Sequence, residues 1–251
     1  MKMKKKLKLL YIINLFCFAW ASAQQNSTVE SEKNTYKQRY GLRVGADLSK
    51  PIIALLDKKY WGVELMSDYR INYSFYAAAE IGSEKKTTQT DFFSFTTNGQ
   101  FLKMGVDYNT YGNWYGMENM IFVGGRYAFS RFSQQLDSYH IYKNHQYWQE
   151  NTQGTNTKWL GEYNGRTAHW LEFIIGMKVE LLQNLYAVTS IRLGFRLGDT
   201  QKGGFPNYWI PGFNRVWEGS RFGMNFNYGI TYLVPFYKKE KSKSKEQKAQ
   251  K

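Results

Sequence analysis

An eight-stranded antiparallel transmembrane β-barrel of the outer-membrane type, with long extracellular loops, is the fold this sequence predicts. Three observations predict it. Apolar residues fill every second position in eight separate stretches, with glycines and charges of both signs between them. A secretory-type leader precedes these stretches. The intervals between them alternate between long and short, as in barrels with long outside loops and short periplasmic turns.

Residues 1–23 read as a signal peptide. Lys2, Lys4, Lys5, Lys6 and Lys8 form a basic start, residues 9–20 an apolar run, and Ala21-Ser22-Ala23 a small-residue cleavage site. The run is shorter than the roughly 20 residues a membrane-spanning helix needs. Cys17 is the single cysteine and leaves with the leader, so the mature chain has no disulfide and no thiolate metal site. Residues 24–39 form a flexible N-terminal segment.

The expected barrel occupies residues 40–237. Strand one, 40–48, places Leu42, Val44, Ala46 and Leu48 against Arg43, Gly45 and Asp47. Strand two, 61–71, sets Trp61, Val63, Leu65, Tyr69 and Ile71 against Glu64, Asp68 and Arg70. Strand three, 73–82, sets Phe75, Ala77, Ala79 and Ile81 against Glu80 and Gly82. Strand four, 100–109, alternates Leu102, Met104, Val106 and Tyr108 with Lys103, Gly105 and Asp107. Strand five, 119–130, alternates Ile121, Val123, Tyr127 and Phe129 with Gly124 and Arg126. Strand six, 169–180, alternates Leu171, Phe173, Ile175, Met177 and Val179 with Glu172, Gly176, Lys178 and Glu180. Strand seven, 185–197, alternates Ile191, Leu193, Phe195 and Leu197 with Arg192, Gly194 and Arg196. Strand eight, 221–233, alternates Phe222, Met224, Phe226, Tyr228, Ile230 and Tyr232 with Gly223, Asn225, Asn227, Gly229 and Thr231. The long intervals are 49–60, 83–99, 131–168 and 198–220; the short ones are 72, 110–118 and 181–184. In the first long interval, Ser49 and Pro51 mark a helical turn, whose Ile52, Ile53, Leu55 and Leu56 dip toward the membrane or plug the mouth.

Alternation does not say which face is wet, because a secreted barrel with a greasy interior has the same period. Charge balance decides it. One face carries the cations Arg43, Arg70, Lys103, Arg126, Lys178, Arg192 and Arg196, and the anions Asp47, Glu64, Asp68, Glu80, Asp107, Glu172 and Glu180. Ions packed inside a narrow barrel must pair, since an unpaired buried ion costs several kcal/mol. A wet outer face has no such need. Glycines concentrate on the same face, where they leave space for long Arg and Lys stems. Trp61, Tyr69, Tyr73, Tyr108, Trp114, Tyr127 and Tyr232 sit near strand ends, as in interfacial aromatic girdles. The charged face therefore lines the lumen.

Residues 238–251 hold seven Lys and two Glu, net +5, and read as a disordered tail. The leader contributes another +5, leaving +4 of the formal +14 for the folded part. The basic balance thus gives no reason to expect a nucleic-acid partner.

The segment Asn227-Tyr228-Gly229-Ile230-Thr231-Tyr232, ending near Phe236, resembles the C-terminal signal read by barrel-assembly machinery, although a Lys-rich tail follows it. Three phrases carry a wider resemblance: Gly41-Leu42-Arg43-Val44-Gly45-Ala46-Asp47-Leu48-Ser49-Lys50-Pro51, Lys103-Met104-Gly105-Val106-Asp107-Tyr108-Asn109, and Gly124-Gly125-Arg126-Tyr127-Ala128-Phe129-Ser130. With these, residues 40–237 resemble an uncharacterised outer-membrane barrel family of Bacteroidota bacteria. The resemblance implies fold and location and brings no established activity.

No catalytic constellation is legible. A lipid-modifying barrel enzyme needs a nucleophile, a histidine and an orienting carboxylate within hydrogen-bond reach. His169 takes the lipid-facing phase, while His140 and His145, with Asp137 and Glu150 near them, lie in a loop and lack a set of three or four convergent metal ligands. No metal and no cofactor is expected. The aromatic loop residues Tyr142, Tyr147, Trp148, Trp159, Tyr208, Trp209 and Trp217 are binding candidates, because Trp and Tyr dominate interface hot spots. The other reading, that they fold over the mouth and bury one another, stands beside it. The expected role is a non-enzymatic outer-membrane protein, with periplasmic termini and a closed interior, that serves the cell envelope as a structural, binding or accessory subunit. Its partners are outer-membrane lipid, barrel-assembly machinery and another outer-membrane protein or lipoprotein. The alternatives are a lipid-modifying enzyme and a narrow small-solute channel.

Overall fold

The computed structural model describes residues 37–111, 118–139, 159–201 and 205–240. Contacts divide the chain into Met1–Thr35 and Tyr36–Lys251, and every described residue belongs to the second unit. The leader expected at 1–23 lies outside the described residues, as do most of the expected N-terminal segment and most of the Lys-rich tail.

Eight long strands form the unit: β1 Lys37–Asp47, β2 Tyr60–Arg70, β3 Phe75–Gln89, β4 Phe93–Asn109, β5 Met120–Tyr139, β6 Gly161–Leu182, β7 Leu185–Asp199 and, after a short hairpin, β10 Phe222–Glu240. Each pairs antiparallel with its neighbours in the order β1-β10-β7-β6-β5-β4-β3-β2, and β1 also pairs with β2. The ring is therefore a closed barrel with no free edge. The hairpin of β8 Trp209–Ile210 and β9 Asn214–Arg215 sits in the last long connection. One helix, α1 Ser49–Leu56, follows β1. Among the described residues no helix is long and apolar enough to cross a membrane, which leaves strand crossing open.

Both ends of the ring run past the expected limits. Lys37 pairs with Glu240, so β1 starts before residue 40 and β10 continues past residue 237. Two expected loops are largely strand. The interval 83–99 is the top of a β3–β4 ladder that runs to Gln89↔Ser94, and 131–139 with 161–168 extend β5 and β6. The polarity of each face changes there while the period stays the same. Along β3–β5 the outward row Ile81–Leu102–Phe129 is apolar and reaches His169 in β6, but the next row away from the termini is Ser83–Gln100–Arg131–Thr167. Beyond it the outward positions are Lys85, Asn98, Gln135 and Asp137, all exposed. The inward face changes in the opposite sense. Glu80, Lys103 and Arg126 below give way to Phe95, Leu136 and Phe205 above, with Phe93, Trp159, Tyr163, Tyr208 and Trp209 packed around them and the buried polar residues Glu84, Thr97, Gln134 and Arg166 between. Strand continues through this switch because period-2 alternation survives with its polarity reversed. A bulge at Gly165, whose φ is +67°, lets Tyr163 and Arg166 both turn inward.

The barrel interior is layered. Tyr76, Met120, Phe122 and Ile174 cluster at the end where the termini meet, charged residues fill the middle, and Phe101, Phe132, Trp170, Ile210, Phe213 and Val216 close the top. Opposite this interior, the wall exposes Trp61, Leu65, Ile81, Met104, Phe173, Ile175 and their outward neighbours, each at about half its free area.

Candidate functional site

Strand parity aims the charged side chains at one another across the lumen. Twelve of the fourteen expected lumen charges are buried; Glu180 and Arg196 are part-exposed near opposite rims. Most of the buried ones join a single chain of ion pairs. Arg43 Nε and Lys178 Nζ each donate to Asp68 at 2.6 Å. Lys178 continues to Asp107 at 3.7 Å, and Arg126 meets Asp107 at 2.7 Å and Glu80 at 3.6 Å. Arg192 joins Glu80, Glu172 and Glu64, and Lys103 meets Glu172 at 3.1 Å. Lys50 closes the chain on Glu64, at 3.2 Å, and Glu84. Six cations (Arg43, Lys50, Lys103, Arg126, Lys178, Arg192) thus meet six anions (Glu64, Asp68, Glu80, Glu84, Asp107, Glu172). Neutrality matters here, because buried ions are tolerated when paired and hydrogen-bonded.

Four expected members, Asp47, Arg70, Glu180 and Arg196, have other surroundings. Asp47 receives the backbone N–H of Ser49 at 2.7 Å and its hydroxyl at 2.8 Å, together with an Asn227 amide hydrogen bond. It anchors the start of α1, so Ser49 stands inside the first turn and not at its cap. Arg70 donates to the carbonyls of Arg39, Asn72 and Tyr73 and lies over the rings of Tyr40, Tyr73 and Tyr76. At the same end Arg39 binds Glu180 at 2.7 Å and Asn184 at 2.8 Å, with Glu118 at 3.4 Å. Arg196 pairs with Asp199 at 3.2 Å.

The sequence reading missed Lys50, Glu84, Arg39, Glu118 and Arg166. Glu84 continues the inward parity of Glu80 and Gly82, but it lies past residue 82, where the outward apolar phase of β3 stops. Lys50 lies in the helix, whose apolar residues were expected to dip toward the membrane or plug the mouth: Lys50 enters the mouth, over the Phe101 ring, while Leu55 and Leu56 remain exposed and do not plug it. Arg166 is fully buried and donates to Gln134 Oε1 and Asn207 Oδ1, with Tyr163 and Phe205 beneath its guanidinium.

The β8–β9 hairpin caps this interior. Its Pro211-Gly212-Phe213 turn drops Phe213 between Gly194 and Gly223, and Gly212 N–H donates to Glu84 at 3.2 Å. Gly212 has φ +81° and a Cβ there would meet Phe101 at 2.6 Å, so only glycine fits. The lumen glycines Gly82, Gly176, Gly194 and Gly223 make room for the rings of Phe101, Phe122 and Phe213, Gly41, Gly45, Gly105 and Gly229 meet mainly neighbouring backbone, and Gly124 alone of the set lies against an ion pair, Asp107 with Arg126.

The loop candidates divide. Tyr208 stacks on Phe93, Trp209 packs against Tyr60, and Trp159 joins the same aromatic cluster, so these form a lid. Trp217 is 57% exposed with Arg215 over its ring at 3.9 Å. Tyr142, Tyr147 and Trp148 lie outside the described residues, as do His140 and His145. His169 packs on Tyr127. Among the described residues no group of His, Cys, Asp and Glu could hold a metal ion. The outer wall carries a groove of about 1010 Å³ floored at Gly125, where the outward row Val106–Gly125–Phe173 lacks a side chain.

Comparison with curated proteins finds no match. Among solved structures the chain is similar to a major outer membrane protein from Thermus thermophilus, at 11% identity over 78% of this chain and 98% of that one, with a TM-score of 0.39. A likeness that distant carries no argument about function. The profile of one family matches residues 5–239, nearly the whole chain, and on that match the protein belongs to DUF6048, a domain family of unknown function.

Proposed function

We propose that this is a non-enzymatic outer-membrane β-barrel with a closed, salt-bridged interior, acting as a structural, binding or accessory subunit of the cell envelope. The observation that carries the reading is the exchange of polarity along β3–β6. Below the Ser83–Gln100–Arg131–Thr167 row the strands are apolar outside and mostly ionic inside; above it they are polar outside and hold an aromatic cluster with buried Glu84, Gln134 and Arg166 inside. A protein wholly in water would not expose so wide an apolar wall. Lipid around the lower part and water around the upper part account for both faces at once. On this reading the 1–23 leader exports the chain, barrel-assembly machinery inserts it, the termini face the periplasm, and the extended hairpins stand outside the cell. The affinity to Bacteroidota barrels belongs to the same proposal.

The ion chain and the hairpin cap support a lumen that does not conduct, since each fills the bore with paired or packed side chains. Exposed Trp217 and the Gly125 groove leave the outer end and wall available to another outer-membrane protein or lipoprotein. The test is affinity purification from detergent-solubilised membranes after mild cross-linking. A barrel or lipoprotein recovered in constant ratio supports the accessory role; an isolated monomer overturns it.

A further inference from the structure

One corner of the outer end combines exposed grease with unneutralised charge. Helix α1 turns Lys50 into the mouth, and its other side leaves Ile52 and Ile53 partly exposed and Leu55 and Leu56 more than 80% exposed. Trp61, at the start of β2, adds an exposed ring. The turn after the helix carries Lys58 and Lys59, both exposed, and the Thr87 N–H bonds the Lys59 carbonyl at 2.9 Å. That bond pins the turn to β3, where the register sets Lys85 beside Trp61. Lys58, Lys59 and Lys85 therefore share one corner with the leucines. Asp57, the nearby carboxylate, is bound to Lys86, and that hydrogen bond holds it below the usual carboxylate range, so it stays charged and neutralises Lys86. Lys59 Nζ contacts a neutral partner, Gln89 Oε1, at 2.7 Å. Among the described residues no carboxylate forms an ion pair with the side chain of Lys58, Lys59 or Lys85, which leaves three cations for an external anion.

An aliphatic helix face flanked by lysines is the composition of a segment lying in the boundary between acyl chains and headgroups. We propose that this corner binds a phosphate-bearing lipid of the outer leaflet, with Leu55 and Leu56 among its acyl chains and Lys58, Lys59 and Lys85 around its phosphate. The inference rests on the membrane reading above. Acyl chains account for leucines that the helix presents outward, and the adjoining lysines select an anionic lipid over a neutral one.

The experiment uses the full-length protein in phosphatidylcholine nanodiscs doped with lipid A, and counts retained lipid A by native mass spectrometry. The triple variant Lys58→Gln, Lys59→Gln, Lys85→Gln changes only exposed side chains and keeps the fold, as its heat-modifiable mobility checks. It should retain lipid A at least about tenfold less than the wild type. Leu55→Gln with Leu56→Gln should also lower retention, dephosphorylated lipid A should be held poorly by the wild type, and millimolar inorganic phosphate should displace nothing. Equal retention by the triple variant, or displacement by free phosphate, overturns the site. So does cross-linking of Leu55→Cys to a protein chain in place of lipid. A wild type that stays in solution without detergent overturns the membrane reading itself; a wild type that needs detergent but is indifferent to the lysines overturns the lipid site alone.

Discussion

Asp68 holds two buried cations, Arg43 and Lys178, each through a 2.6 Å charge-assisted hydrogen bond. Such bonds are roughly twice as strong as neutral ones. Glu64 contrasts with it: it is as deeply buried, but neither oxygen has a hydrogen bond among the described residues, and its ion pairs run at 3.2 and 3.7 Å. Removing Asp68 strands two cations in the lumen. Asp68→Asn should therefore lower folding stability by about 3–5 kcal/mol, and Glu64→Gln by clearly less, as read by urea titration of the folded band in micelles. Residues whose partners cross the bore were the least legible in the sequence. Parity aims Arg192 and Glu80 inward, but these residues are 112 positions apart, and only register and curvature bring them together.

At the level of elements, the four extended strands make the strongest argument. Phe95 is fully buried in the aromatic cluster over the mouth, while Thr96, its neighbour in β4, points the other way. Phe95→Ala should cost about 3–5 kcal/mol and Thr96→Ala no more than about 0.5 kcal/mol, measured in the same titration. The sequence showed the lower halves of these strands clearly, because apolar residues alternate there with charges. It hid the upper halves, because an apolar outward phase was required of every strand and Thr87, Thr96 and Gln135 do not supply one. Helix α1 was visible from Ser49 and Pro51, but its orientation was not, since nothing local says that Lys50 finds Glu84. The β8–β9 hairpin was not legible, because its two-residue strands are too short to alternate.

For the whole molecule, two barriers lie in series along the bore: the packed hairpin carrying Phe213, and beneath it the neutral chain of six cations and six anions. Deleting residues 208–216 should therefore leave planar-bilayer conductance at background, whereas a barrel sealed only by its loop would open. Which medium each face of the wall meets decides whether the barrel stands in lipid. Spin labels placed one at a time at Leu171, Phe173 and Ile175, and at Gln135 and Asp137 for comparison, measure this directly in proteoliposomes. The first three should collide with dissolved oxygen far more than with a water-soluble nickel chelate, and the last two should show the reverse. A label at Phe173 that meets the nickel chelate as freely as one at Gln135 would contradict the account.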